Sequence, residues 1–250
     1  MIIRSNRKLK ARYQELGSGD IFIGMLSSKY LNQSVLIDLL ERGVICLPSP
    51  LSQNLNRSKV AQALIFKAWM LPCTSVIARR MDLVDAINRY NKHGITSVLT
   101  KQESMHCGHG VRRWENIETL YNIVALSKSS YPFVLQPFLN DLSDLRVIIV
   151  ADYIEAYCRR NPDNFRMNIS SGGKYYPYAL DQEQEKFCRS VMERGKFPYA
   201  HLDLQITEVG EYYLAEIALN GGIKGAGISR QELDKKKQSM LEELAEPNSS

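Results

Sequence analysis

No stretch of the 250-residue chain approaches the roughly 18 consecutive apolar residues of a membrane-spanning helix. The amino-terminal "MIIRSNRKLKARYQELGSGD" is basic and lacks the apolar core of a secretory signal. Residues 1–19 read as a partly disordered lead-in, and a nucleic-acid-binding tail is the weakest of the functions open to it. Cysteine is sparse: Cys46, Cys73, Cys107, Cys158 and Cys188 are scattered, odd in number and never spaced Cys-x-x-Cys. That argues against a disulfide framework and for a reducing cytoplasm. His106, Cys107 and His109 lie together, but no fourth ligand follows at zinc spacing. The chain has no G-x-x-x-x-G-K-[ST] phosphate loop, no G-x-G-x-x-G after its first strand and no G-x-S-x-G elbow. Phosphate-loop NTPases, dinucleotide enzymes and serine hydrolases of those patterns are set aside, and no protein nucleophile stands out.

What is present is ordinary for a globular α/β protein. Hydrophobic residues make up 44% and charged residues 24%, enough for a real core. The net charge of +5 suits an anionic ligand such as a nucleotide. "DIFIGML", "NQSVLIDLLERG" and "VICLPSP" read as strand, helix and strand, a small parallel α/β unit over residues 20–52. Beyond it, "NRSKVAQALIFKAWM" and "MDLVDAINRYNKHG" have helical spacing, and "ITSVLTK" is a strand delivering Lys101. "DLRVIIVADYIEAYCRR" reads as a hairpin turning near Ala151 and Asp152. "SRQELDKKKQSMLEELA" is a charged terminal helix within residues 229–250.

The last hairpin, "YAHLDLQITEVGEYYLAEIAL", carries the most chemistry. A turn centred on Val209 and Gly210 places Asp203 opposite Glu216, His201 opposite Ala218 and Gln205 opposite Leu214. Directly opposed side chains lie roughly 5 Å apart, so two like charges there need a neutralising partner. A hard divalent cation held by two carboxylates and phosphate oxygens is one. The other reading open from spacing is two ordinary solvent-facing acids. A register slip of one residue would put them on opposite faces. Lys101, Arg146 and Arg159-Arg160 could complete an anion site. For Arg159-Arg160 alone, a solvated charged face is the better reading.

From Asn54 to Gly227 the order of these parts resembles the ATP-grasp ligases, and within them the ribosomal-protein glutamate ligase branch. "NRSKVAQALIF…LPCTSVIA" resembles the opening of the ATP-grasp core, and "SVLTK" its phosphate lysine. "CGHGV" resembles the glycine-rich flap and "VLQPFL" the hinge strand. "DLRVIIV", "RRNPDNFRMNISSGG" and "LDLQ…LAEI" follow in the family's order. The resemblance implies an ATP-grasp fold of class α/β (α+β): two α+β subdomains, residues 53–135 and 136–228, clasping a nucleotide behind the short α/β unit. It assigns Lys59, Lys101, Gly108, Gly110, Gln136, Phe138, Leu139 and Asp141 to ATP. Arg146, Arg166 and Asn168 become catalytic, Arg159 and Lys224 substrate-binding, and Asp203, Glu216 and Asn220 metal ligands.

The implied activity is ADP-producing ligation of a carboxylate to an amine, or a thiol, through an acyl phosphate. The implied cofactors are ATP and Mg²⁺, with Mn²⁺ as a substitute. The partners are a carboxylate and an amine substrate, with no membrane and no nucleic acid, and a homodimer is compatible. Two departures matter. The unit before the core is short for the domain that usually precedes it in the family, and Ala218 stands where the family has an Asn for a second metal, which raises an alternative to the ligase reading, a catalytically weakened nucleotide-binding module acting as regulator or partner subunit.

Overall fold

The computed structural model describes residues 1–27, 33–103, 110–127, 130–140, 142–161 and 174–246. Three sheets organise it. The first is parallel, in order β1-β2-β3, from Ile2–Ile3, Ile21–Ile23 and Ile45–Leu47. Helices α1 (Asn6–Ala11) and α2 (Gln33–Glu41) bury Leu9, Leu36 and Leu39 around Phe22. The strand–helix–strand unit is therefore present, but the lead-in over residues 1–19 is not disordered. It supplies β1 and α1 because Ile3, Leu9 and Leu16 anchor it in that core.

Helices α3 (Pro50–Leu55) and α4 (Lys59–Ile65) follow, each opened by a serine cap, Ser49 and Ser58. The second sheet is antiparallel, in order β4-β7-β5-β6, from Ser75–Ile77, Phe133–Pro137, Val98–Gln102 and Val111–Trp114. Helices α5 (Arg80–Lys92) and α6 (Ile117–Val124) cover one face, burying Leu83, Ala86, Tyr90 and Leu120 with Leu135. The other face presents Leu99, Lys101, Val134 and Gln136, which share a side by their pairing. The expected boundary between residues 135 and 136 cuts β7, which runs unbroken from Phe133 to Pro137.

The third sheet has five antiparallel strands, in order β10-β9-β8-β11-β12. They are β8 (Leu142–Val150), β9 (Tyr153–Arg160), β10 (Lys174–Tyr178), β11 (Tyr199–Thr207) and β12 (Tyr212–Ala218). Its apolar face, with Val147, Leu202, Leu204 and Ile217, packs with Cys188, Val191 and Met192 of α7 (Gln182–Gly195). Helix α8 (Arg230–Ala245) packs on both the first and third sheets and buries Leu233, Leu241 and Ala245. Among the described residues, no helix is long and apolar enough to cross a membrane.

The β11–β12 register differs from expectation in an instructive way. Asp203 does face Glu216 and His201 faces Ala218, but Gln205 faces Tyr213, not Leu214. A bulge at Ala215 separates the two halves of the ladder. The turn spans three residues: Gly210 N–H donates to Thr207 O at 3.0 Å, and Gly210 takes φ 86°. A three-residue loop ending in a left-handed residue is a standard hairpin closure. The bulge is what lets Leu214 and Ile217, three residues apart, both reach the core at 0% exposure.

Candidate active site

The polar face of the third sheet follows from its register. Glu216, Asp203, Arg146, Tyr157 and Pro177 form one row across β12, β11, β8, β9 and β10. A second row holds Gln205, Asp144, Arg159 and Tyr175, and a third Ala218, His201, Ile148 and Glu155. Alternation along each strand keeps these side chains on one side and the aliphatic core on the other.

Asp203 is the hub. Arg146 grips it with two donors, Nε to Oδ1 and Nη2 to Oδ2, the latter at 3.0 Å. Arg159 Nη2 lies 3.0 Å from the same Oδ1, and Arg159 Nε donates to Asp144 Oδ1 at 2.6 Å. The like-charge repulsion between Asp203 and Glu216 is thus eased by two guanidiniums held on Asp203. Arg159 is 5% exposed, so the solvated-face reading of that residue is corrected. Its two carboxylate partners compensate its burial.

Burial pushes the Asp203 carboxyl up, but Arg146 and Arg159 outweigh it and hold the value at about 2. For Asp144 burial wins over Arg159, and the value rises to about 6. Asp203 therefore stays ionised at neutral pH.

Lys101 reaches across from β5 and donates to Ala215 O at 3.1 Å, the bulge carbonyl. Burial lowers its pKa, while the nearby Glu216 carboxylate opposes that shift and Lys59 adds to it. Lys59 is 8% exposed at the start of α4. The same helix is tied to β12 by Gln62, whose side-chain amide pairs with both N–H and O of Ile217 at 3.0 and 2.9 Å. Lys59, Lys101, Arg146 and Arg159 thus gather with the carboxylates of Asp144, Asp203 and Glu216. The excess cation suits a polyphosphate.

On the β5–β7 side, Gln136 is 1% exposed and donates to Thr74 Oγ1 at 3.0 Å, leaving its Oε1 buried and unpartnered. A buried acceptor without a donor fits a ligand amino group. Phe138 and Leu139 follow β7, Leu139 at 40% exposure. Arg113 from β6 stacks over the Phe138 ring at 4.1 Å, a contact no motif signalled. Gly110 O accepts from Gln102 N–H at 2.9 Å, extending the β5–β6 ladder. Lys224 is exposed in the loop after β12. Gly108, Asp141, Arg166 and Asn168, and the His106–Cys107–His109 group, lie outside the described residues.

The carboxylates of Asp203 and Glu216, with phosphate and water oxygens, are a donor set suited to Mg²⁺ or Mn²⁺. Among the described residues no three His, Cys, Asp or Glu side chains cluster to hold a metal by themselves. Asn220 does not join the pair. Its Oδ1 accepts from Lys237 Nζ at 3.0 Å, and that ammonium also contacts Leu219 O at 2.8 Å and His201 Nε2 at 3.1 Å. The expectation of Asn220 as a metal ligand is corrected: an oxygen turned toward a buried ammonium is not turned toward a divalent cation. Gly221 packs against the same group. A Cβ there would meet His201 Nδ1 at 3.0 Å and run into Arg146 Nη1.

Residues 55–241 match the family model of the RimK-like ATP-grasp domain. No curated protein sequence matches the chain. Solved structures do. A Chryseobacterium gregarium RiPP-associated ATP-grasp ligase, complexed with ADP and a leader and core peptide, aligns at TM-score 0.63 and 17% identity, over 90% of this chain and 77% of that one. A D-alanine–D-alanine ligase from Bacillus anthracis aligns at TM-score 0.63 and 14% identity, over 96% and 85%. The ADP complex of purK aligns at TM-score 0.61 and 13% identity, over 89% of this chain but only 59% of that one. What is shared at these identities is the fold.

Proposed function

The chain belongs to the RimK-like ATP-grasp family, and from that membership we propose that it is an ATP- and Mg²⁺-dependent ligase joining a carboxylate to an amine. The observation that carries this is the Asp203–Glu216 pair flanked by Lys101, Arg146 and Arg159. Lys59 and Lys101 hold the phosphates of ATP as point charges. Gln136 offers its free Oε1 to the adenine amino group, beside Phe138 and Leu139. Mg²⁺, when bound at Asp203 and Glu216, offsets charge developing on the transferred phosphoryl group.

Arg146 and Arg159 exchange part of their hold on Asp203 for the incoming carboxylate and the transferred phosphate. Their bidentate geometry suits both. The carboxylate oxygen bonds to the γ-phosphorus as ADP leaves, giving an acyl phosphate. An unprotonated amine then attacks the acyl carbon, loses its proton to solvent, and expels phosphate. A thiol could replace the amine. Neither step needs a protein nucleophile. Asp144 keeps Arg159 in place when Asp203 turns to its ligand.

Calorimetric titration of ATP, with Mg²⁺ and then with EDTA, tests this. Expected is binding that needs Mg²⁺ and loses that dependence in Glu216→Gln. Equal binding under all three conditions would overturn the assignment.

A second reading is favoured by Ala218, which lies opposite His201 beside the Lys237 ammonium. With Asn220 also engaged there, a nucleotide-binding module without turnover fits. It predicts ATP binding but no ADP release with any carboxylate and amine pair tried.

A further inference from the structure

Beside the arginines, on the side away from Glu216, a cavity of about 620 Å³ lies at the β10 edge of the same sheet, lined from the polar face by Glu155, Tyr157 and Tyr175. It forms where β10 stops short. The last β10 residue paired to β9 is Tyr178, opposite Ala156, so β9 from Tyr153 to Glu155 has no strand on that flank among the described residues. The rings of Tyr157 and Tyr175 form one wall, edge to face with centroids 6.4 Å apart. Residues 225–227 form the other. Gly225 is required there: at φ 105° a side chain is strained, and a Cβ would stand 2.9 Å from the Tyr175 ring and 3.1 Å from Tyr157.

The charge of this cavity is opposite to that of its surroundings. The chain carries a net +5, and four cations crowd the neighbouring rows. Yet the charged side chains lining the cavity, among the described residues, are Glu155 and Glu185 alone. Glu185 is paired with Arg189 at 2.7 Å. Glu155 forms no ion pair among the described residues. Its carboxylate accepts from the Tyr153 hydroxyl and from Gly227 N–H, which fix its position, and the nearest cation beside it, Lys236, sits over the Tyr153 ring at 5.5 Å. A fixed carboxylate among tyrosine faces attracts a cation, through both the charge and the ring quadrupoles.

The position relative to the acyl phosphate sets the ligand's length. Tyr157 stands next to Arg146, two strand spacings from Asp203, or about 10 Å. Its hydroxyl also donates to Gly222 O at 3.4 Å, in the loop that continues to the cavity wall. A ligand whose charged end rests at Glu155 reaches the arginine row with a chain of a few methylenes.

We infer that this cavity binds the positively charged end of the amine co-substrate. The nucleophile then belongs to a molecule with a second, cationic group, such as a diamine. This rests on the ligase reading above. It separates this chain from a ligase whose incoming amine carries a carboxylate, which would meet Glu155 as a like charge.

The test uses 1,5-diaminopentane as probe, 1,5-pentanediol as its uncharged counterpart and L-glutamate as the anionic amine, each titrated into the full chain with Mg²⁺ and ATP present. Saturation-transfer resonance spectroscopy reads weak binding directly. Expected is binding of the diamine at least tenfold tighter than of the diol or glutamate. That preference falls about tenfold in Glu155→Gln, which keeps an acceptor for Gly227, and falls again in Tyr175→Ala, a half-exposed ring whose removal spares the core. ATP affinity stays unchanged in both variants. Diol or glutamate binding as tight as the diamine, or a diamine affinity untouched by Glu155→Gln, overturns the inference while leaving the ligase reading intact. Loss of Mg²⁺-dependent ATP binding in the parent chain would instead overturn the ligase reading.

Discussion

At the scale of single residues, the electrostatics of the site are settled by which partner wins against burial. Asp203 is held ionised by two guanidiniums, Asp144 is lifted by burial, and His201 is driven down to about 3 by burial with the Lys237 ammonium beside it. Lys237 itself is lowered to about 8, chiefly by burial. Since Lys237 donates to His201 Nε2, the imidazole proton sits on Nδ1, which has no partner. The sign of the pH effect follows. A histidine near 3 in the folded state and about 6.5 unfolded is protonated first in the unfolded chain. Its contribution is complete above pH 6.5 and is lost as pH falls toward 3. Between pH 7 and 5 the loss is about 2 kcal/mol. His201→Gln keeps an acceptor for Lys237 and removes the titration. Urea unfolding at both pH values should show a fall in stability for the parent chain that is smaller by about that amount in the variant. Equal falls would place the acid sensitivity elsewhere.

At the scale of elements, the hairpin carrying Asp203 and Glu216 shows how far sequence reaches and where it stops. The opposition of the two acids is legible, because alternation along "AHLDLQ" separates a polar from an apolar face. The turn is centred one half-residue earlier than Val209-Gly210, and the bulge at Ala215 restores the pairing at Asp203. A signal for the bulge was present: Leu214 and Ile217 are three apart, an odd spacing, yet both are apolar enough to be core. The Asp144–Arg159 pairing is legible by the same rule, since a turn at Ala151 and Asp152 sets the two opposite each other, whereas the reach of Arg159 onto Asp203 joins two separate hairpins and is not. Nor is β1, two residues long and stabilised by a strand eighteen residues on. The turn can be tested by itself. Gly210 at φ 86° makes no close contact, so Gly210→Ala adds only left-handed strain, about 1 kcal/mol. The denaturation midpoint should fall accordingly while Mg²⁺-dependent ATP binding holds, because the bulge and the Asp203 pairing lie on the far side of three ladder pairs. A loss of ATP binding at unchanged stability would show that the turn, rather than the core positions of Leu214 and Ile217, sets the register.

At the scale of the whole molecule, α8 decides whether the sheets behave as one body. It begins with a reciprocal cap between Ser229 and Glu232, then lays Leu233, Lys237, Leu241 and Ala245 inward. Along its length it contacts β2 and β3 of the first sheet and β8 of the third. Arg4 reaches from the first unit to Glu242 at 2.8 Å, but both side chains are half exposed and such a pair contributes little. The coupling therefore rests on apolar burial. Lys237 adds direction, since its three acceptors lie at the end of β12 and on β11, immediately beside the Asp203 row. A helix that bridges two units in this way makes their unfolding one event, because neither keeps its apolar cover when α8 leaves. Leu241→Ala removes a side chain 4% exposed at that joint and should cost about 2–4 kcal/mol. Calorimetry should still record one transition, shifted down, with van't Hoff and calorimetric enthalpies equal. Two resolved transitions, the lower one reporting the first sheet alone, would mean that α8 is an appendage of the third sheet and that the N-terminal unit folds independently of the site it adjoins.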